Sequence, residues 1–152
     1  MDASQRTAGI AFLCIGAVFG VAASVLAIAQ HATGQALLAA GAGAVTSLGI
    51  TATYWRTALE RSGFYGVSRK DAAHAAIRPA GSSQKLVGAG AAIGATVGPL
   101  ALVIAGFMLG LTPLAVLACL AGFLGAMSLV AGTVHFGFLV AAEVKWRLRD
   151  GA

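Results

Sequence analysis

The segment AFLCIGAVFGVAASVLAIA, which covers residues 11–29, decides the fold because it is apolar around its whole circumference. A helix on the surface of a soluble protein keeps a polar face, and a strand of a membrane barrel alternates apolar and polar residues. This segment has neither pattern. A helix of about 20 such residues is long enough to cross the hydrocarbon core of a bilayer, so the segment predicts a transmembrane helix.

Two long tracts of the chain contain no Asp, Glu, Lys or Arg. They run from Thr7 to Trp55 and from Leu86 to Ala142, and each is more than twice the roughly 20 residues that one crossing requires. Each tract therefore holds two crossings joined by a turn. We predict an all-α membrane protein, a single membrane domain over residues 1–152, with four transmembrane helices in two antiparallel hairpins at about residues 8–29, 35–55, 86–109 and 114–142.

The distribution of the basic residues predicts the orientation of these helices. Most of the ten Lys and Arg residues lie in the central loop, residues 56–85, and in the C-terminal tail, whereas the two hairpin turns contain none. Because basic loops stay on the cytoplasmic side, we expect both termini and the central loop there. The positive charges lie beside the predicted crossings, as membrane topology requires, and they form no separate basic face, so no nucleic-acid partner is predicted. The Ala- and Gly-rich, Lys-poor composition indicates a bacterial inner (plasma) membrane.

The first apolar run also resembles a secretory signal, because Ala27, Ile28 and Ala29 match a cleavage site of the A-x-A type. The run from Thr7 to Ala29 is longer than the 7 to 15 residues of a signal core, which favours a retained helix. Cleavage after Ala29 is the alternative and would leave three crossings.

The two halves of the chain resemble each other. Residues 16–20, GAVFG, match residues 94–98, GATVG, and each half ends in a Trp followed by an Arg. An even number of crossings per half gives two repeats of the same orientation, which is typical of a duplicated hairpin rather than an inverted-repeat transporter. The identities are few, so a tandem duplication stays open.

The central loop contains one short helical pattern. Ser68 is a candidate N-cap, Pro79 ends the pattern, and the predicted amphipathic helix covers residues 69–78. Lys70, His74 and Arg78 recur every four residues and form a basic stripe on it. This stripe could contact anionic lipid or a protein partner, and the alternative is an ordinary solvated cytoplasmic loop.

Small residues are the most informative feature within the predicted helices. In lipid no hydrophobic drive holds helices together, so small residues that permit close backbone approach commonly mark helix contacts. Their number exceeds what one small bundle requires, which predicts a homo- or hetero-oligomer with other membrane proteins. The predicted packing glycines are Gly16, Gly20, Gly90, Gly94, Gly98, Gly106 and Gly110.

His135 is the one ionisable residue of the sequence placed well inside a predicted crossing. A buried ionisable group in a membrane suggests a proton or metal site. The alternative is a neutral, hydrogen-bonded histidine, because His135 lies only about 10 Å from the cytoplasmic end of its helix.

The sequence lacks the residue sets of the common enzyme classes. The two uncharged tracts contain no carboxylate. No pair of His or Cys has the spacing of metal ligands, and no Ser–His–Asp set or phosphate-binding loop is recognisable. We predict no enzyme, no cofactor and no metal, with membrane lipids and other membrane proteins as partners. The predicted function is a non-catalytic subunit that packs through Gly-rich helices into a larger complex, such as a secretion, conjugation or respiratory assembly.

A holin-like or channel-like homo-oligomeric pore is the alternative function. Its path would be lined by the polar residues of the crossings. An enzyme acting on lipid or quinone is a third, less supported interpretation. The pore-lining candidates are Thr46, Ser47, Thr51, Thr96, Ser128 and His135.

Overall fold

The computed structural model describes residues 3–61 and 82–150, and these residues form four long helices. Each helix contains a segment long and apolar enough to cross a membrane. The prediction of an all-α membrane protein with four spans is therefore confirmed. The helices are α1 (Ala3–Ala29), α2 (Thr33–Arg61), α3 (Ser82–Met108) and α4 (Pro113–Asp150). The predicted loop helix 69–78, with Lys70, His74 and Arg78, lies outside the described residues.

Each helix is longer than the sequence predicts, and the extra residues lie at the end away from the hairpin turn. At the two turns, the observed ends agree with the predicted ends to within two residues. At the opposite ends the helices continue for four to eight residues beyond the predicted limits. The reason is that hydropathy marks the edge of the hydrocarbon, whereas Ala, Leu, Lys, Arg and Glu continue a helix into the polar interface.

A glycine in the left-handed conformation ends α3. Gly110 has φ = 70°, its N–H donates to the carbonyl of Phe107, and the N–H of Leu111 donates to the carbonyl of Gly106 at 2.9 Å. This pair of bonds is the Schellman motif, which satisfies carbonyls at a helix end. Gly110 is therefore a helix-ending residue. Its positive φ takes the chain out of the helix, so the structure places Gly110, which the sequence predicted as a packing glycine, in the turn after α3.

Helix α1 ends in the same motif, with a histidine at the glycine position. His31 has φ = 53°, and the N–H of Ala32 donates to the carbonyl of Ala27 at 2.9 Å. A side chain bearing Cβ costs roughly 1 kcal/mol in this conformation. We expect His31→Gly to stabilise the protein by about 1 kcal/mol, measured by thermal unfolding in detergent. His31→Ala, which removes the imidazole but keeps Cβ, should give no such gain.

The two turns lie at the same end of the helix bundle and contact each other. The hydroxyl of Thr112 donates to Oε1 of Gln30 at 2.7 Å. The same hydroxyl accepts from the N–H of Ala115 at 3.2 Å and so caps α4, which begins with Pro113. We call this side of the molecule the turn face.

Helix α4 is the centre of the fold. It packs along both α1 and α2, whereas α1 and α2 meet each other at few positions. Helix α3 packs mainly on α2 and less on α4. The second hairpin therefore places α4 between the two helices of the first hairpin. The share of buried residues is accordingly highest in α4, at 44% of the span Pro113–Gly137, and lowest in α3, at 6% of the span Ala89–Met108.

The core of the described residues consists mostly of alanine. One buried cluster joins Ala27, Ala36 and Ala118, and a second joins Ala39 and Cys119 to Phe123. Phe123 is the largest fully buried side chain of the described residues, at 1% exposure. Side chains this small let helix backbones approach closely, so van der Waals contact between backbones holds the bundle.

Candidate functional site

The glycine-lined interfaces of α4 are the candidate functional site, and the longest of them joins α1 to α4. Along this interface a glycine of one helix repeatedly faces a larger group of the other. A Cβ built on Gly16 would lie 2.6 Å from Cγ of Leu129, and one built on Gly132 would lie 2.8 Å from Cγ of Leu13. The helices are antiparallel, and the facing pairs are Gly9–Phe136, Leu13–Gly132, Gly16–Leu129 and Gly20–Gly125.

The interface between α2 and α4 brings backbones even closer. A Cβ on Gly43 would overlap the backbone of Phe123 and lie 3.0 Å from its Cα. A Cβ on Gly122 would lie 3.0 Å from the carbonyl oxygen of Ala36. In both places a methyl group would meet backbone, which cannot rotate away, so only glycine permits this helix separation.

Helix α3 joins the bundle through three glycines. A Cβ on Gly94 would lie 3.3 Å from Cγ2 of Thr46, and one on Gly98 would lie 3.0 Å from Cζ of Phe123. A Cβ on Gly106 would lie 2.7 Å from Cγ2 of Val116. Side chains that can adjust are involved here, so the α3 contacts tolerate change better than those of α2 with α4.

The seven predicted packing glycines thus differ in their surroundings. Gly16, Gly94, Gly98 and Gly106 lie in contacts between helices, and Gly110 lies in a turn. A Cβ on Gly20 or Gly90 would meet nothing within 4 Å, although the backbone of Gly20 faces Gly125. Five glycines that lie in the tightest contacts were not predicted from the sequence. Gly125 and Gly132 lie seven residues apart on the face of α4 that contacts α1, a spacing that helical periodicity could have found, whereas Gly122 faces α2. The missed residues are Gly9, Gly43, Gly122, Gly125 and Gly132.

Three glycines beyond the first turn of their helices open toward the surface. Gly41, Gly90 and Gly137 are exposed, and a Cβ on any of them would contact nothing within 4 Å. A glycine inside a helix costs about 0.5 to 1 kcal/mol relative to alanine. No contact within the chain offsets this cost at Gly41, Gly90 or Gly137, so we call these three residues the open glycines.

Four of the six polar residues proposed to line a pore donate hydrogen bonds to backbone carbonyls. The hydroxyl of Thr46 donates to the carbonyl of Ala42, and Thr51 likewise bonds the carbonyl four residues before it. Thr96 donates to the carbonyl of Ala92 on its own helix. Ser47 is buried and donates to the carbonyl of Met127 on α4 at 2.7 Å, so it joins two helices.

His135 lies at the α1–α4 interface. Its ring meets the ring of Phe136 edge-on, with 6.3 Å between centroids, and its Cδ2 would lie 3.0 Å from a Cβ on Gly9. Among the described residues no group of three His, Cys, Asp or Glu side chains could hold a metal ion. The position of His135 is that of a half-buried packing residue near one end of the interface.

Two apolar grooves open on either side of α2, near the turn face. The α1–α2 groove has α4 as its floor and a volume of about 200 Å³. The α2–α3 groove also has α4 as its floor, at Cys119, and a volume of about 220 Å³. None of the six pore-lining candidates lines either groove.

The chain matches no known protein family, and neither a characterised protein nor a solved structure is significantly similar to it.

Proposed function

We propose that this protein is a non-catalytic subunit that packs through its glycine-bearing helices into a larger membrane complex. The observation that carries the proposal is the presence of the open glycines, Gly41, Gly90 and Gly137. A helix partner that packs on these positions would gain close backbone contact and offset the cost of glycine. Helix α3 provides the largest free surface for it, because little of its span is buried within the chain.

The finer parts of the proposal follow from charge and composition. The membrane is a bacterial inner membrane, and both termini and the loop 56–85 face the cytoplasm. The basic residues of that loop, with Lys70, His74 and Arg78, are then available to a cytoplasmic part of the complex or to anionic lipid. Support for this orientation comes from the absence of Lys and Arg in the sequence of both turns.

The test is to purify the tagged chain from its native membrane in mild detergent, determine the mass of the complex and identify its components. We expect a defined heteromeric complex. Gly90→Leu should dissociate it while the chain itself stays folded, because a Cβ at Gly90 meets nothing in the chain. Ala89→Leu, at the neighbouring exposed position, is the matched control and should leave the complex intact.

Two results would contradict the subunit proposal. A chain that purifies as a monomer would show that the open glycines have no protein partner. A complex made of copies of this chain alone would favour the homo-oligomeric pore, and conductance across planar bilayers would then be the next measurement.

A further inference from the structure

Helices α1 and α3 take equivalent places in the fold. Each is the first helix of a hairpin, and each packs mainly on the second helix of the other hairpin, α1 on α4 and α3 on α2. Each also ends in the same Schellman motif, with His31 and Gly110 at the left-handed position. Because the two helices have the same role in the topology, any difference in how firmly they are held comes from their contacts.

The contacts that hold α1 reach the backbone, whereas those that hold α3 reach side chains. A Cβ on Gly16 of α1 would lie 2.8 Å from the backbone nitrogen of Leu129, and one on Gly125 would lie 3.0 Å from that of Gly20. At the described glycines of α3, the nearest atoms to a built Cβ all belong to side chains. Accordingly, 6% of the span in α3 is buried, against 17% of the span in α1.

Two further features weaken the attachment of α3. The hydroxyl of Thr96 donates to two carbonyls of its own helix, whereas the hydroxyl of Ser47 joins α2 to α4. Pro99, in the middle of α3, has no N–H to offer the carbonyl of Ala95, which weakens the helix at that point. A segment with few buried contacts separates from a protein at a lower free energy than the core does.

The thiol of Cys119 lies where a movement of α3 would expose it. Leu102 of α3 packs on the buried cluster that contains Cys119, and Cys119 forms the floor of the α2–α3 groove. In the docked position of α3, Cys119 is 4% exposed. The neighbouring Ala118 belongs to the cluster that α4 forms with α1 and α2, without α3. The two positions therefore report on different interfaces of the same helix.

We propose that α3 undocks from the bundle as a unit while α1, α2 and α4 stay assembled. The movement pivots on the turn at Gly110, and the hydrogen bond from Thr112 to Gln30 keeps that turn joined to the first hairpin. Undocking separates α3 from α2 and α4 and uncovers Cys119. The movement requires no partner protein, so it stands apart from the function proposed above.

The test measures how fast N-ethylmaleimide modifies each thiol of the full chain in phosphatidylcholine vesicles, with mass spectrometry to locate the adducts. Cys14, which is exposed on α1, reports the access of the reagent within the bilayer. Ala118→Cys supplies a matched thiol at the interface without α3. We expect the thiol at position 118 to react about tenfold more slowly than Cys119, because opening the core costs more than releasing α3.

A reversible lock tests the movement directly. A Cβ on Gly94 would lie 4.0 Å from Cβ of Thr46, within the roughly 3.5 to 4.5 Å of native disulfides. The double variant Thr46→Cys with Gly94→Cys therefore ties α3 to α2 when oxidised. Oxidation should slow the modification of Cys119 about tenfold and leave that of Cys14 unchanged, and reduction should restore the rate.

A single substitution should act in the opposite direction. Gly94→Val pushes α3 away from Thr46 and should speed the modification of Cys119 about tenfold. Gly90→Val, one turn earlier on the same helix, is the matched control and should leave the rate unchanged, because a Cβ there meets nothing within 4 Å.

Two results would overturn the proposal. Equal rates at positions 118 and 119 would show that α3 separates only when the whole bundle opens. A rate at Cys119 that the oxidised lock does not change would show that the reagent enters through the α2–α3 groove while α3 stays docked.

Discussion

Gly43→Ala is expected to destabilise the protein by about 3 kcal/mol, because the added methyl group would overlap the backbone of Phe123. Backbone atoms of a central helix cannot move aside without separating α2 from α4. That separation would also lengthen the hydrogen bond from Ser47 to Met127, which joins the same two helices at 2.7 Å. Reversible unfolding in mixed micelles with increasing SDS measures the change.

Gly41→Ala is the matched control for this prediction. Gly41 is two residues away on the same helix, and a Cβ there meets nothing within 4 Å. The substitution should be neutral or stabilise the protein by up to about 1 kcal/mol, because alanine favours the helix. Similar effects at Gly41 and Gly43 would contradict the close contact between α2 and α4.

The number and limits of the membrane spans were predictable from the sequence. Two tracts without charge, each too long for one crossing, predict four helices, and the two turns fall within two residues of the expected positions. This works because the bilayer acts on each segment by itself, through length and hydropathy. The prediction fails at the opposite helix ends, where the chain leaves the hydrocarbon but remains helical through Arg61 and Asp150.

The packing of the helices was not predictable in the same way. Helices adjacent in the sequence are the natural candidates for contact, yet α4 lies between α1 and α2. In water an apolar stripe would identify the buried face of a helix. A helix that is apolar all round carries no such stripe, and small residues are the remaining signal. Gly41 and Gly43 look alike in the sequence but have opposite surroundings.

The polar residues illustrate the same difficulty. Thr46 and Ser47 are neighbours in the sequence and were both candidates for the lining of a pore. In the structure Thr46 bonds its own helix, whereas Ser47 bonds α4. A hydroxyl in a transmembrane helix can satisfy itself locally, so its presence does not reveal whether it faces a partner helix or lipid. The orientation of α2 about its own axis decides which of the two hydroxyls, that of Thr46 or that of Ser47, faces α4.

Phe123→Ala is expected to destabilise the protein by about 2 to 3 kcal/mol. Phe123 fills the space between α2, α3 and α4, and its loss leaves a cavity that these helices cannot close without moving. The cost should lie at the low end for a buried aromatic residue, since the unfolded side chain in a membrane meets lipid rather than water. SDS unfolding in mixed micelles measures it, and Phe107→Ala, at a 58% exposed position, should change stability by less than about 0.5 kcal/mol.

A second substitution tests whether the cavity is where the structure places it. A Cβ on Gly98 would lie 3.0 Å from Cζ of Phe123, so Gly98→Ala should cost about 1 kcal/mol in the natural protein. In the Phe123→Ala background that cost should disappear, because the added methyl group then enters the cavity. The coupling between the two sites is expected to be about 1 kcal/mol. Additive effects, or equal losses for Phe123→Ala and Phe107→Ala, would place Phe123 toward lipid and contradict the central position of α4.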